Sequence, residues 1–262
     1  MKSSLHAVRL LLPVVVFAAA ILLWEAIVRV NNIQPYVLPG PVAVFETLIT
    51  DWPVLSQSLG VTLLTTLEGF AAAAIGGIAL SLLFNQSKWL EYSLFPYAVI
   101  LQVTPVIAIA PLLLIYLQQQ TAVVVCAWIV AFFPVLSNTT LGLNSVDRNL
   151  AGLFQLYGAT RLQTFCFLKL PAALPFILGG LRIAGGLSLI GAVVAEIAAG
   201  TAGAGSGLAF RIAESGYRLN IPRMFAALFL LSVAGIVIYG VLALISHLVL
   251  RRWHESALGK ES

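Results

Sequence analysis

Charge is scarce in this chain: Asp, Glu, Lys and Arg make up 9% of its 262 residues, against about 25% in soluble domains. So few ionic groups cannot cover a water-facing surface, which excludes a soluble globular protein and requires an exterior that meets lipid. Cysteine is also rare. Cys126 and Cys166 lie far apart, which excludes a disulfide framework and leaves packing as the reading for both. No Gly-x-x-x-x-Gly-Lys-Ser/Thr loop occurs, since the one Gly-Lys pair, Gly259-Lys260, is followed by Glu261. Without that backbone cradle for phosphates, the chain does not hydrolyse ATP itself. The formal charge of +4 gives no support for nucleic-acid binding.

What is abundant is apolar length. Hydrophobic residues make up 60% of the chain, and mean hydropathy is +1.01. A helix needs about 20 apolar residues to cross the hydrocarbon core, and runs of that length fall at about 10–28, 59–84, 92–117, 121–141, 172–200 and 225–250. The expected fold is an all-α polytopic membrane bundle of six transmembrane helices in a single domain, 1–262. The first run contains Ala18-Ala19-Ala20, which is similar to a signal cleavage site, but it continues through Ile21-Leu22-Leu23-Trp24. That is too long for a secretory signal, so a retained helix is expected.

The connections are short. Pro35, Pro39, Pro41 and Pro53 punctuate 31–58, with an interfacial amphipathic helix expected over 42–50. A polar loop is expected at 85–91, and a turn at Gln118-Gln119-Gln120. A Gly-rich link at 201–207 leads through a polar amphipathic stretch to Pro222. Gly69, Gly76 and Gly77 mark a close-packing face on the second span. Pro96, Pro105, Pro111 and Pro134 are open as hinges, with at least three of them reading as tolerated kinks.

Sidedness follows from the distribution of Lys and Arg. With both termini in the cytoplasm, Lys2, Arg9, Lys88, Arg148, Arg161, Lys169, Arg251, Arg252 and Lys260 fall inside. Arg29, Arg211, Arg218 and Arg223 fall outside, and Arg182 lies within a span. This places 142–170 in the cytoplasm. After Asn149, helical spacing sets Leu150, Leu153, Phe154 and Tyr157 near one face. Gly158 then breaks the helix, Leu162, Phe165 and Cys166 begin a second stripe, and Pro171 suits the first turn of the next span. A cytoplasmic helix with an uncovered apolar stripe calls for a partner.

This segment resembles the EAA loop of binding-protein-dependent ABC importer permeases. Gly158 and the ending Leu168-Lys169-Leu170-Pro171 match the loop's frame in register. Gly158-Ala159-Thr160-Arg161, Gly180-Leu181-Arg182-Ile183-Ala184, Val193-Val194-Ala195-Glu196 and Leu38-Pro39-Gly40-Pro41 are similar to the subgroup handling sulfonates, taurine, nitrate, bicarbonate and pyrimidine precursors. The ordered set covers most of the chain, from about Leu38 to Arg252.

The resemblance implies a type I importer permease in a bacterial inner membrane, working as one of two permease subunits, expected to be identical. Two separate ATPases, carrying ATP and Mg, would each receive the loop, and a periplasmic or lipid-anchored binding protein would deliver a small anionic or heterocyclic solute. No cofactor is expected on this chain. Leu153, Phe154, Leu156, Tyr157 and Phe165 would supply the apolar knob, Gly158 a close backbone approach, and Ala159, Thr160, Arg161, Leu168 and Pro171 the rest of the coupling element. The chain departs from the pattern in three places. Gly152, Leu153 and Phe154 stand at the Glu-Ala-Ala positions, the third span ends in Gln118-Gln119-Gln120, and Thr65 stands where Arg is common.

Ionic and polar residues inside spans need a reason, because a charge at the bilayer centre costs about 2.5–3.5 kcal/mol on insertion. Glu68, Arg182 and Glu196 are the charged set. Arg182 and Glu196 fit structural roles, with snorkelling open to Arg182 and a gate or pore position open to Glu196. Gln102, Thr104 and Pro105 form a better pore candidate, because Pro105 frees a carbonyl that can line a cavity. Two other functions compete. An ion-coupled secondary transporter would need repeats and buried carriers beyond Glu68 and Glu196. An intramembrane hydrolase would need Ser206 and His247 to meet, whereas the expected topology sets them about a membrane thickness apart.

Overall fold

The structure is a computed structural model that describes residues 2–200 and 205–251. The Thr201–Ala204 part of the Gly-rich link, the Arg252 charge and Gly259-Lys260 lie outside the described residues. Among the described residues every regular element is helical. Three helices begin with a proline in the first turn, where its missing N–H has no partner to lose: Pro41, Pro53 and Pro222.

Helix α1 (Lys2–Val30) is followed by the short α2 (Pro41–Thr50) and the long α3 (Trp52–Gln86). The polar loop expected at 85–91 shrinks to Ser87, because helix α4 (Lys88–Val103) starts directly after it. The third apolar stretch is not one straight span. It breaks at Thr104-Pro105, and α5 (Val106–Tyr116) leaves at 97° to α4. Helix α6 (Gln119–Asn144) returns to the other end. Helix α7 (Arg148–Leu156) is short; α8 (Arg161–Thr164) then continues through a π turn (Phe165–Lys169) into α9 (Leu170–Ala199). Helices α10 (Leu208–Tyr217) and α11 (Ile221–Leu250) complete the chain. Five helices are long and apolar enough to cross a membrane, or six if the bent α4–α5 pair is one span.

The core is the packing of α6 against α3 and α9. Small residues set the spacing. A Cβ on Gly77 would stand 2.9 Å from Val135, and one on Gly191 would stand 2.8 Å from the Cys126 carbonyl oxygen. Backbones that close gain dispersion contacts that lipid cannot match. Hydroxyls tie the same helices: Ser188 donates to the Thr66 carbonyl at 2.8 Å, and Ser81 to the Leu136 carbonyl at 2.8 Å. Cys126 is fully buried here, whereas Cys166 is exposed on the π turn.

Helix α1 stands apart. Its residues 11–20 are exposed throughout, and it is fastened at its far end by Trp24 on Phe225 and by Glu25 accepting the Val42 N–H.

Candidate functional site

The bundle has two specialised ends. At the first, α6 delivers the chain into α7, whose N-cap Asp147 accepts the Asn149 N–H at 2.6 Å. Helix α7 closes by a left-handed turn: Ala159 N–H reaches the Phe154 carbonyl at 3.0 Å, and Gly158 N–H reaches that of Gln155 at 3.0 Å. Gly158 carries φ +69°, and nothing lies within 4 Å of where its Cβ would be. Glycine is needed here for handedness.

The next residue pair resets the helix. Thr160 accepts the Gln163 N–H at 3.2 Å while the Gln163 side chain accepts the Thr160 N–H at 2.8 Å. This reciprocal cap gives Thr160 its role and adds Gln163, which the sequence reading passed over although Thr-x-x-Gln is its signature. Helix then runs unbroken from Arg161 to Ala199. Lys169 donates to Asn85 at 3.1 Å, tying the base of this rod to α3.

The knob residues divide. Leu150, Leu153, Leu156 and Tyr157 are exposed, the last two at 86% and 83%. Phe154 and Leu168 are half-buried, and Phe165 packs on the Leu143, Ala173 and Ile177 cluster. Phe165 therefore faces the bundle as an anchor, contrary to its expected place in the knob. Ala159 and Pro171 are half-buried, and Arg161 is exposed on the first turn of α8.

At the opposite end, Glu196 is 3% exposed and does not line an open path. Thr62 on α3 donates to its carboxylate at 2.8 Å, and the Ala209 N–H of α10 donates at 3.1 Å. The Thr62 oxygen in turn accepts the Leu208 N–H at 2.8 Å. The carboxylate thus sits at the positive end of α10, where orphan N–H groups and the helix dipole favour it. A Cβ on Gly207 would overlap that carboxylate, so glycine is required before α10. Arg211 joins α10 to Ser58 of α3 at 3.1 Å and pairs within α10 with Glu214 at 2.8 Å, and Asp51 pairs with Arg223 at 2.6 Å. Thr62, Ser58 and Arg211 were not singled out from the sequence, because partners 134 and 153 residues apart leave no local signal.

Between the ends lie the other polar candidates. Thr104 donates to the Ile100 carbonyl at 2.6 Å, beside Pro105 at the α4–α5 break. Gln102 and Pro105 are exposed there, so the structure keeps the three residues together at a bend. Glu68 faces outward near the middle of α3. Arg182 has its Nε buried without a hydrogen-bond partner, and its guanidinium lies 5.8 Å from the Tyr239 ring centre. Ser206 is buried just before α10, whose Leu208 packs beside Leu230. His247 lies 17 residues beyond Leu230 on α11, roughly 25 Å along the helix axis, so the two do not form a nucleophile and base.

The molecule is thus a multi-helix membrane bundle with an uncovered helical hairpin at one end and a clamped helix at the other. Residues 69–251 match the family described as binding-protein-dependent transport system inner membrane component, and the chain belongs to that family. It is 34% identical to the formylaminopyrimidine transport permease protein ThiX of Halalkalibacterium halodurans, across 95% of this chain and 98% of that one. It is 32% identical to the riboflavin transport system permease protein RibX of Chloroflexus aurantiacus, across 89% and 86%. A crystal structure of an amino acid ABC transporter with histidines shares the fold, with TM-score 0.63 and 20% identity across 77% of this chain and 97% of that one. The protein is accordingly a multi-pass inner-membrane permease subunit of an ABC importer, a class that works with an ATPase and a binding protein.

Proposed function

We propose that two copies of this chain form the path of an importer for a small heterocyclic or anionic solute. The α7 hairpin would be the part gripped by a separate ATPase that carries ATP and Mg. Both termini and α7 lie in the cytoplasm, as the nine inward Lys and Arg against four outward favour, and the solute-binding protein works on the α10 side. The relatives ThiX and RibX favour a heterocycle within this class.

One observation carries the coupling role. Leu153, Leu156 and Tyr157 stand uncovered on a helix whose ends are fixed by a capped N-terminus, a left-handed glycine and a reciprocal cap. Rigid apolar surface of this kind is costly in water without a partner. Because helix is continuous from Arg161 to Ala199, displacement of the hairpin is transmitted to the far end of α9. Leu156→Asp is expected to abolish ATP-dependent uptake in membranes while leaving insertion and thermal stability unchanged. Undiminished uptake in that variant would remove α7 from the coupling role.

A further inference from the structure

Arginines have different surroundings at the two ends of the molecule. At the α10 end each described one has a carboxylate: Arg29 pairs with Glu25, Arg211 and Arg218 with Glu214, and Arg223 with Asp51. On the α7 hairpin, Arg148 and Arg161 are exposed, and neither pairs with a carboxylate among the described residues. The acid beside them, Asp147, is committed to capping α7 through the Asn149 N–H.

Next to Arg148 the outer face of α7 is hollow. A groove of about 560 Å³ is lined by Arg148, Asn149, Gly152, Leu153, Gln155 and Leu156. Arg148, Gly152 and Leu156 follow at four-residue spacing, which stacks them on one face of a helix. Gly152 forms the floor, since nothing lies within 4 Å of where its Cβ would be. Glycine is a poor residue inside a helix, and here it serves neither a turn nor packing within this chain. Phe154, about 200° around α7 from Gly152, is half-buried, so the hollow faces away from the bundle. We propose that this groove receives an acidic site on the ATPase. A carboxylate of the ATPase meets Arg148, and an apolar side chain beside it fills the space over Gly152 against Leu153 and Leu156. Paired opposite charges of this kind set register and choice of partner. Anionic lipid headgroups would also take an arginine, but a fluid surface has no fixed side chain to seat over Gly152.

This rests on the reading that an ATPase grips α7, and it names the chemistry of the gripping surface. The test uses the permease in phosphatidylcholine nanodiscs with its own ATPase subunit, without ATP, and reads their binding at low and high NaCl. Arg148→Glu should weaken binding at least about tenfold at low salt, the loss of one charge-assisted hydrogen bond, and less at high salt. Gly152→Leu, which fills the hollow, should weaken it at both. Gly152→Glu should bind less tightly than Gly152→Gln, because it sets one carboxylate against another. Both positions are open and the Gly152 variants gain helix propensity, so the unfolding midpoint of the permease should hold. Equal binding by the parent and Arg148→Glu overturns the proposal, as does tighter binding by Gly152→Glu than by Gly152→Gln. A loss for Arg148→Glu only in nanodiscs that contain phosphatidylglycerol assigns the arginine to lipid and overturns it too. If Leu156→Asp releases the ATPase while Arg148→Glu does not, α7 couples but its groove meets no acid, so the two readings fail separately.

Discussion

At the α10 end, a carboxylate only 3% exposed is enclosed by Thr62 and the first turn of α10, while at the α7 end Leu156 and Tyr157 stand 86% and 83% exposed. Both ends are held with the same means: caps, glycines and a few polar side chains. They differ in where the polar bonds point. Around Glu196 the bonds cross between α3, α9 and α10, so three distant segments become one body. Around Gly158 the bonds are local to the hairpin, so α7 is stiff in itself and little of it is covered. The first arrangement resists motion of the helix against its neighbours, and the second presents a shaped handle.

Substitutions grade this contrast. Glu196→Ala leaves the Thr62 hydroxyl and the Ala209 N–H without their acceptor in a buried place. It is expected to cost about 3 kcal/mol, read as a lowered unfolding midpoint in detergent, with Glu196→Gln losing less. Gly158→Ala forces a side chain into the left-handed region at about 1–2 kcal/mol. That cost is local, so uptake should fall several-fold and protease cutting near 158 should rise while the global midpoint holds. If Gly158→Ala lowered the midpoint as far as Glu196→Ala, the hairpin would be part of the body and the contrast would fail. The smallest effect is expected from Arg223→Ala. Its pair with Asp51 is about a quarter exposed, so thermal unfolding should report about 0.5–1 kcal/mol at most.

The sequence foretold these features unevenly, for physical reasons. Long apolar runs announce membrane helices because the bilayer imposes their length, and Gly158 announces a helix end because few residues turn left-handed. Pro105 marked a kink within one expected span, and a proline alone does not set a 97° bend; α5 also packs Ala110 against α6 and α9. Thr160 and Gln163 were in view as a spaced pair, and only the pairing went unread. The Glu196 clamp was out of reach, since Thr62 and Leu208 meet it only after α3, α9 and α10 have assembled. Phe165 was misplaced for a related reason. The π turn adds a residue to the helical repeat, which turns that ring toward Leu143 and Ala173.

That π turn, Phe165–Lys169, also fixes an angular phase between the two specialised ends. Each residue of an α-helix advances the chain by about 100°, and a π turn holds one residue more than an α-helical turn. Removing a single residue from 165–169 would restore an ordinary α-helical turn and leave the helix on either side in nearly the same phase. Removing one from the α-helical stretch that follows, with the π turn kept, would carry the α7 hairpin about 100° around the bundle. The first variant should keep its handle facing the motor, and the second should present it to the wrong side.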